Sequence, residues 1–178
     1  MVYEPEPYRR FPKVPIERRI GAFAIDFLTV CLISSIISSG IFRWLVFLAG
    51  WFALRVIFVD KNQGQSLGRW ALDMKIIDAR LNRAPGLIDL AKREAIVGFA
   101  ALLAMIGLSI NFANGLSMLI LVCPLLVDCA IAFADEQYSQ AFHDRLTNTI
   151  VIQTRRGFSL DLRLKRLASQ LKKRFDRY

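Results

Sequence analysis

The sequence predicts an all-α integral membrane protein with four transmembrane helices in two hairpins, a short cytoplasmic β pair and a C-terminal amphipathic helix. Of its 178 residues, 54% are hydrophobic, and the mean hydropathy is +0.38. Four apolar stretches approach the roughly 20 residues that a helix needs to cross a hydrocarbon core about 30 Å thick. Lys and Arg side chains largely avoid these stretches.

The first two stretches cover 20–39 and 42–59, and a tight turn at Ser39 and Gly40 separates them. Helices satisfy their own backbone hydrogen bonds, which a lipid environment requires. A connection this short predicts a helical hairpin. A polar segment, 1–19, precedes the first stretch, and no small-residue cleavage signature follows it, so we expect this stretch to be retained as an anchor.

The third and fourth stretches cover 94–110 and 116–134, and Asn and Gly residues within 111–115 favour a turn between them. We expect a second hairpin. Gly98 and Gly107 make the third stretch the weakest, so a re-entrant or interfacial placement stays open.

The distribution of positive charge predicts the orientation. Five Lys and Arg residues precede the first span, seven lie in the central loop at 60–93, and ten follow the fourth span. Arg43 alone lies near the opposite face. Because positively charged loops stay cytoplasmic, we expect a multi-pass protein of the cell membrane with both termini inside. This topology accounts for the net charge of +9, so nucleic-acid binding is disfavoured.

Three regions follow from this layout: a cytoplasmic segment at 1–17, a membrane domain at 18–154 and a basic tail at 155–178. Within the domain, residues 74–78 and 148–154 have strand-like composition, and we expect them to pair on the cytoplasmic face.

In the tail, apolar residues recur at helical spacing after Gly157, opposite a cationic side. We expect this helix to lie on anionic lipid at the cytoplasmic face. A solvated tail and a helix that binds a partner protein are the alternatives. The candidate contact residues are Arg163, Arg166, Lys172, Lys173 and Arg174.

Ionisable residues inside the spans are the candidates for function, because each costs about 2.5 to 3.5 kcal/mol at mid-bilayer even on the mildest scale. We expect Arg55 to neutralise Asp26, Asp128 or both. A carboxylate left partly unpaired could then bind a proton or a small cation. Alternatively, the charges fix helix register without moving an ion, or Arg55 snorkels to the headgroups.

Enzyme chemistry is not expected. Cys31, Cys123 and Cys129 lie in apolar runs without CxxC spacing, and no metal or cofactor motif is present. His143 beside Asp144 fits a hydrogen bond that orders a loop better than a catalytic dyad.

The opening segment 18–26 (RRIGAFAID) resembles that of the RDD family, in which an Arg begins the first membrane helix and an Asp follows within it. Arg19 and Asp26 match those positions. The segments 64–69 (GQSLGR) and 74–78 (MKIID) are similar to the loop that follows the second span in that family.

Arg93 stands where the family often has an Arg before its next helix, and 141–152 (AFHDRLTNTIVI) is similar to the closing segment of the family. Asp144 matches the second defining Asp. Thr147 and Asn148 depart from the Ala-Gly that is common there, and neither Asp128 nor the basic tail belongs to the pattern. The resemblance implies a bacterial membrane protein, with transport of ions or small ligands suggested.

Two functions are therefore compared. The first is transport of an ion, proton or small ligand through polar residues in the spans, in a homo-oligomer or a larger membrane assembly. The second is a non-catalytic membrane scaffold or assembly factor that uses its basic loop and tail. The candidate residues for transport are Arg19, Asp26, Arg55, Asp128 and Asp144.

Overall fold

The computed structural model describes residues 14–37, 40–109, 114–135, 139–154 and 160. In these residues the chain is mostly helical and carries one two-stranded sheet. In chain order the elements are α1 (Ile16–Ile37), α2 (Ile41–Lys61), α3 (Leu67–Ala71), β1 (Met74–Asp78), α4 (Leu87–Ser109), α5 (Gly115–Ala134), α6 (Phe142–Leu146) and β2 (Thr149–Gln153).

Three described helices, α1, α2 and α5, are long and apolar enough to cross a membrane. The prediction of a helical membrane protein is confirmed at this level. Helix α4 has 23 residues, but its first two turns carry the charged residues Asp89, Lys92, Arg93 and Glu94. It is not among the three helices, so the four-span count stays a prediction.

The long helices pack in the order α1, α2, α4, α5. Small residues of α4 allow the close approach: a Cβ on Gly98 would lie 2.7 Å from Trp51, and one on Gly107 would lie 3.0 Å from Leu121. Small residues let membrane helices approach in this way. The two glycines that weakened the third stretch as a predicted span are therefore its packing positions.

Helix α2 contains a π-helical segment at Ala53–Ile57. Such wide turns are rare and often occur at functional sites. Arg55 and Val56, adjacent in this segment, are both buried, so the wide turn brings a guanidinium into the interior of the helical bundle.

After α2 the chain forms a compact unit that rests on the helix ends. Ser66 caps α3 by accepting a hydrogen bond from the Arg69 backbone N–H. Strand β1 pairs antiparallel with β2, with Ile76 opposite Val151, so the predicted β pair is confirmed. The Ile76 N–H also donates to the Gly64 carbonyl at 2.9 Å.

The apolar core has two parts. One lies beneath the sheet and joins it to the ends of α1 and α2; it includes Ala22, Val59, Met74, Ile76 and Val151. The other lies between the long helices and is built around Phe47, Trp51 and Val97. The first part therefore fixes the sheet to the ends of the helices.

Many large apolar side chains point outward, among them Ile36, Leu116 and Leu119. Of α5, only Ala132 is buried. An exposed apolar surface of this extent is typical of helices that face lipid.

Several sequence predictions fall on positions that the structure leaves undescribed. Gly40 is described and has a positive φ of 61°, which favours the predicted turn, but Ser39 lies outside the described residues. So do residues 110–113 and the whole basic tail except Leu160.

The closest backbone approach in the fold lies at Gly68, so we expect substitution of this glycine to be strongly destabilising. A Cβ on Gly68 would lie 2.0 Å from the Ala22 carbonyl oxygen, and overpacking typically costs about 1 to 3 kcal/mol. We expect Gly68→Ala to lower the thermal midpoint of the full chain in detergent micelles by several degrees. Gly115→Ala is the control, because a Cβ there has open space. Equal midpoints for the two variants would contradict the packing of α3 on α1.

Candidate functional site

Asp26 is fully buried on α1 and accepts three hydrogen bonds. The Arg55 Nη1 donates to it at 3.0 Å, the Ser66 hydroxyl at 2.6 Å and the Gly68 backbone N–H at 2.7 Å. Its carboxylate thus joins α1 to α2 and to the start of α3. Three of the roughly four acceptor sites of the carboxylate are thus directed at protein donors.

Arg55 divides its guanidinium between two helices. Beside the bond to Asp26, its Nε donates to Glu94 Oε2 at 2.8 Å and its Nη2 to Glu94 Oε1 at 3.3 Å. The group also lies 4.8 Å from the centre of the Trp51 ring, within cation–π range. The two bonds from Arg55 to the two oxygens of Glu94 are bidentate, which is the strong form of an Arg–carboxylate pair.

Glu94 is the common partner of three arginines. In addition to Arg55, its Oε1 accepts from Arg69 Nη2 and from Arg93 Nη1, each at 3.2 Å. The side chain of Glu94 is fully buried. One negative charge therefore compensates positive charges from α2, α3 and α4.

Asp144 on α6 forms the second centre of charge. Arg93 donates to its Oδ1 from Nε at 2.9 Å and from Nη2 at 2.8 Å, and Arg19 bonds its Oδ2. Burial alone would raise the pKa of the Asp144 carboxyl, but the charge of Arg93 holds that pKa well below its usual range. His143 and Arg19 act in the same direction, so Asp144 is ionised at neutral pH.

His143 connects this centre to α5. Its Nδ1 lies 2.7 Å from Asp128 Oδ2, and its backbone N–H donates to Asp128 Oδ1 at 3.3 Å. Its Nε2 lies 3.1 Å from Arg93 Nη2 and 3.3 Å from Asp144 Oδ1. A neutral ring can accept from Arg93 through Nε2, whereas a protonated ring can donate to Asp144 from the same atom. Both protonation states therefore have partners.

A cavity of about 100 Å³ lies between α1 and α5 beside these groups. Space of this size holds several water molecules or a small ion. Apolar residues such as Phe23 and Leu125 line it on the helix side. Its polar wall consists of Arg19, Arg55, Arg69, Arg93, Asp128 and His143.

Arg69 is the least compensated member of this wall. It is 4% exposed, and its Nη1 has no hydrogen-bond partner among the described residues. Burial, with the positive charges of Arg55 and Arg93, lowers the pKa of Arg69 to about 9. The group still carries its charge at neutral pH.

The structure brings Asp26 and Arg55 together but places Asp128 elsewhere. Of the two acids expected as partners of Arg55, the structure pairs it with Asp26, because α4 lies between α2 and α5 and its Glu94 accepts from Nε and Nη2 of Arg55. Asp128 instead pairs with His143. Arg19, in the first turn of α1, contacts Asp144.

Sequence reasoning missed Glu94 and Arg69 as members of the site. Glu94 marked only the start of an apolar stretch, and Arg69 counted only as a loop charge. An acid directly after Arg93, at the edge of a span, was the available signal. The tail residues predicted to contact lipid or a partner lie outside the described residues.

The described residues contain no group of three or more His, Cys, Asp or Glu side chains that could hold a metal ion. The model of the RDD family matches residues 13–148, a range that includes Arg19, Asp26, Glu94, His143 and Asp144. No curated protein and no solved structure matches the chain.

We expect removal of the Glu94 carboxylate to cause a large loss of stability. Glu94→Gln would leave three buried guanidinium groups short of one negative charge, and breaking a buried ion pair from one side costs about 3 to 5 kcal/mol. We expect the variant to unfold at a much lower temperature in detergent micelles, or to fail to accumulate. Asp60→Asn, on an exposed acid of α2, is the matched control. A Glu94→Gln midpoint equal to that control would contradict the shared role of the carboxylate.

Proposed function

This chain belongs to the RDD family, and we propose that it is a bacterial cell-membrane protein that transports an ion, a proton or a small ligand. Ionisable groups inside membrane bundles typically mark such pathways. The proposed site is the cavity between α1 and α5, with the pair formed by His143 and Asp128 at its wall.

The proposed topology has four spans, α1, α2, the part of α4 from Glu94 onward, and α5, arranged as two hairpins. Support comes from the packing of α1 on α2 and of α4 on α5. The excess of Lys and Arg in the central loop and after α5 supports cytoplasmic termini. In this orientation the cavity lies near the cytoplasmic ends of the helices, because Arg19 begins the first span.

The observation that carries the transport proposal is the double set of partners around His143. Its Nε2 faces both a donor, Arg93, and an acceptor, Asp144, while its Nδ1 faces Asp128. Histidine commonly serves as a proton shuttle in proteins. The cavity wall therefore holds an imidazole with a partner at each ring nitrogen, which is the arrangement that a proton relay needs.

The remaining candidates hold this pair in place. Asp26 accepts three hydrogen bonds and Arg55 donates three, and Arg19 bonds both Asp144 and the Ser139 carbonyl. Groups with this many protein partners are poor carriers of a mobile ion. We assign them the role of a charged framework.

We infer the proposed partners from the exposed side chains of α5 and from the sequence of the basic tail. Helix α5 leaves most of its side chains exposed, which suits contact with the bilayer and with a second copy or a larger membrane assembly. Arg163, Arg166, Lys172, Lys173 and Arg174 are proposed to meet anionic lipid at the cytoplasmic face. We propose no enzymatic activity and no nucleic-acid partner.

A second candidate function, a membrane scaffold or assembly factor, is favoured by the three hydrogen bonds that Asp26 accepts. A buried charge with three donors fixes helix positions without any transported ion. In this alternative the basic loop and tail bind a partner protein, and the cavity is incidental.

Proton counterflow in liposomes tests the transport proposal. Full-length protein is reconstituted with a trapped pH dye, and a Na⁺ or K⁺ gradient is imposed. We expect the intact chain to move protons, and Asp128→Asn to reduce the rate at least about tenfold, since a positioned proton acceptor commonly contributes that much or more. Asp60→Asn, on an exposed acid, should transport at the rate of the intact chain.

Equal rates for Asp128→Asn and Asp60→Asn would contradict the proposed role of the pair. Absence of flux from every form, combined with a co-purifying protein that is lost when residues 158–178 are removed, would support the scaffold instead. Folding of each variant is checked by size-exclusion chromatography before reconstitution.

A further inference from the structure

The short helix α3 has its polarity reversed relative to a helix on a water-facing surface. Its exposed side chains are apolar: Leu67 is 38% exposed and Trp70 is 56% exposed. Its buried face carries a charge, since Arg69 is 4% exposed and pairs with Glu94 at 3.2 Å. A helix on the surface of a soluble protein turns its charged residues outward instead. The outer face of α3 is therefore suited to an apolar environment.

Backbone contacts show how deep α3 lies along the first candidate span. Gly68 lies directly against the carbonyl of Ala22, and its N–H donates to Asp26 Oδ1 at 2.7 Å. At a rise of about 1.5 Å per residue, Ala22 lies about 4.5 Å beyond Arg19 along the α1 axis, and Asp26 about 10 Å beyond it. Helix α1 is long and apolar enough to cross a membrane. Helix α3 therefore lies beside the part of α1 that enters the bilayer.

The chain reaches this depth by turning back after α2. Lys61, at the end of α2, is exposed and suits the level of the headgroups. The next residues form a turn, in which the Gly64 N–H donates to the Val59 carbonyl at 2.9 Å. The Ser66 hydroxyl then donates to Asp26 Oδ2 at 2.6 Å. The loop thus returns toward the bilayer before it continues to β1.

The neighbouring ends of the long helices also present apolar side chains outward. Ile20 on α1 is 52% exposed, and Phe58 on α2 is 43% exposed. Tryptophan is enriched where the headgroups meet the acyl chains, because its ring is apolar and its N–H is polar. Lys61 supplies a positive charge that suits anionic headgroups. Lipid at this boundary therefore matches both the apolar face of α3 and its charged flank.

We propose that α3 is an interfacial membrane element, whose Leu67 and Trp70 side chains insert where headgroups and acyl chains meet. The leaflet is the one at the Arg19 end of α1, which is cytoplasmic in the topology proposed above. The partner is bilayer lipid. This contact goes beyond the transport function and requires only that α1 crosses the membrane.

Tryptophan fluorescence of the full-length protein in liposomes tests the proposal. The chain has three tryptophans, of which Trp51 is fully buried. Trp44→Phe leaves Trp70 as the exposed emitter, and subtracting the emission of the Trp44→Phe/Trp70→Phe form gives the emission of Trp70. The liposomes contain phosphatidylcholine and phosphatidylglycerol, with or without bromine near the headgroup end of the acyl chains. Iodide serves as the quencher in water.

We expect brominated lipid to lower the Trp70 emission about twofold or more, since an apolar helix face at the interface is buried about 5–10 Å into the headgroup and acyl boundary. Iodide at constant ionic strength should lower that emission only slightly. Bromine placed near the ends of the acyl chains should quench it less than bromine near the headgroups.

The matched control moves the indole to a loop position of similar exposure. Leu81 is 57% exposed, but its neighbours Arg80, Asn82 and Arg83 are exposed polar residues. In the Trp44→Phe/Trp70→Phe background, Leu81→Trp should be quenched by iodide more strongly than Trp70 and by brominated lipid less strongly. Size-exclusion chromatography checks the folding of each form. If Trp44→Phe does not fold, the difference between the intact chain and Trp70→Phe gives the same quantity.

Quenching of Trp70 by iodide but not by brominated lipid would overturn the proposal, because α3 would then face water. Protection of Trp70 from both quenchers would also overturn it, because a second copy of the chain or another protein would then cover α3. Neither measurement involves flux, so a failure of transport and a failure of lipid contact at α3 are read independently.

Discussion

The arrangement of this protein depends on one constraint: charges removed from water must be paired within the fold. Glu94 meets that constraint for three arginines at once, and Asp26 and Asp144 extend the pairing to either side. In a low-dielectric interior an unpaired charge is far more costly than in water. The charged residues therefore dictate which helices lie next to one another.

This pairing couples the membrane helices to the part of the chain outside them. Asp26 on α1 holds Ser66 and Gly68 at the start of α3, and Arg93 on α4 holds Asp144 on α6. The small sheet is thus fixed to the helix ends by ionic contacts as well as by the apolar core that includes Met74. A change of charge at the cavity would therefore alter contacts in both regions.

The sequence was most informative about features that depend on residues close together in the chain. Apolar length identified α1, α2 and α5 as candidate spans, and β-rich composition located both strands. The cost of a lone charge in lipid predicted that Arg55 meets Asp26, Asp128 or both, and the structure pairs it with Asp26. The partners of Asp128 and Arg69 did not follow, since hydropathy gives no lateral order of helices. The position of α4 between α2 and α5 explains why Glu94 meets Arg55, whereas Asp128 meets His143 on the next helix, α6.

The most direct test of this account is a double-mutant cycle between Asp26 and Arg55. The free energies of unfolding of Asp26→Asn, Arg55→Gln and the double variant are measured in detergent micelles against the intact chain. Residues in one buried ionic network should show a coupling of about 0.5 to 3 kcal/mol, with the double variant less damaged than the sum of the single ones. Additivity within about 0.3 kcal/mol would contradict the network as the basis of the fold.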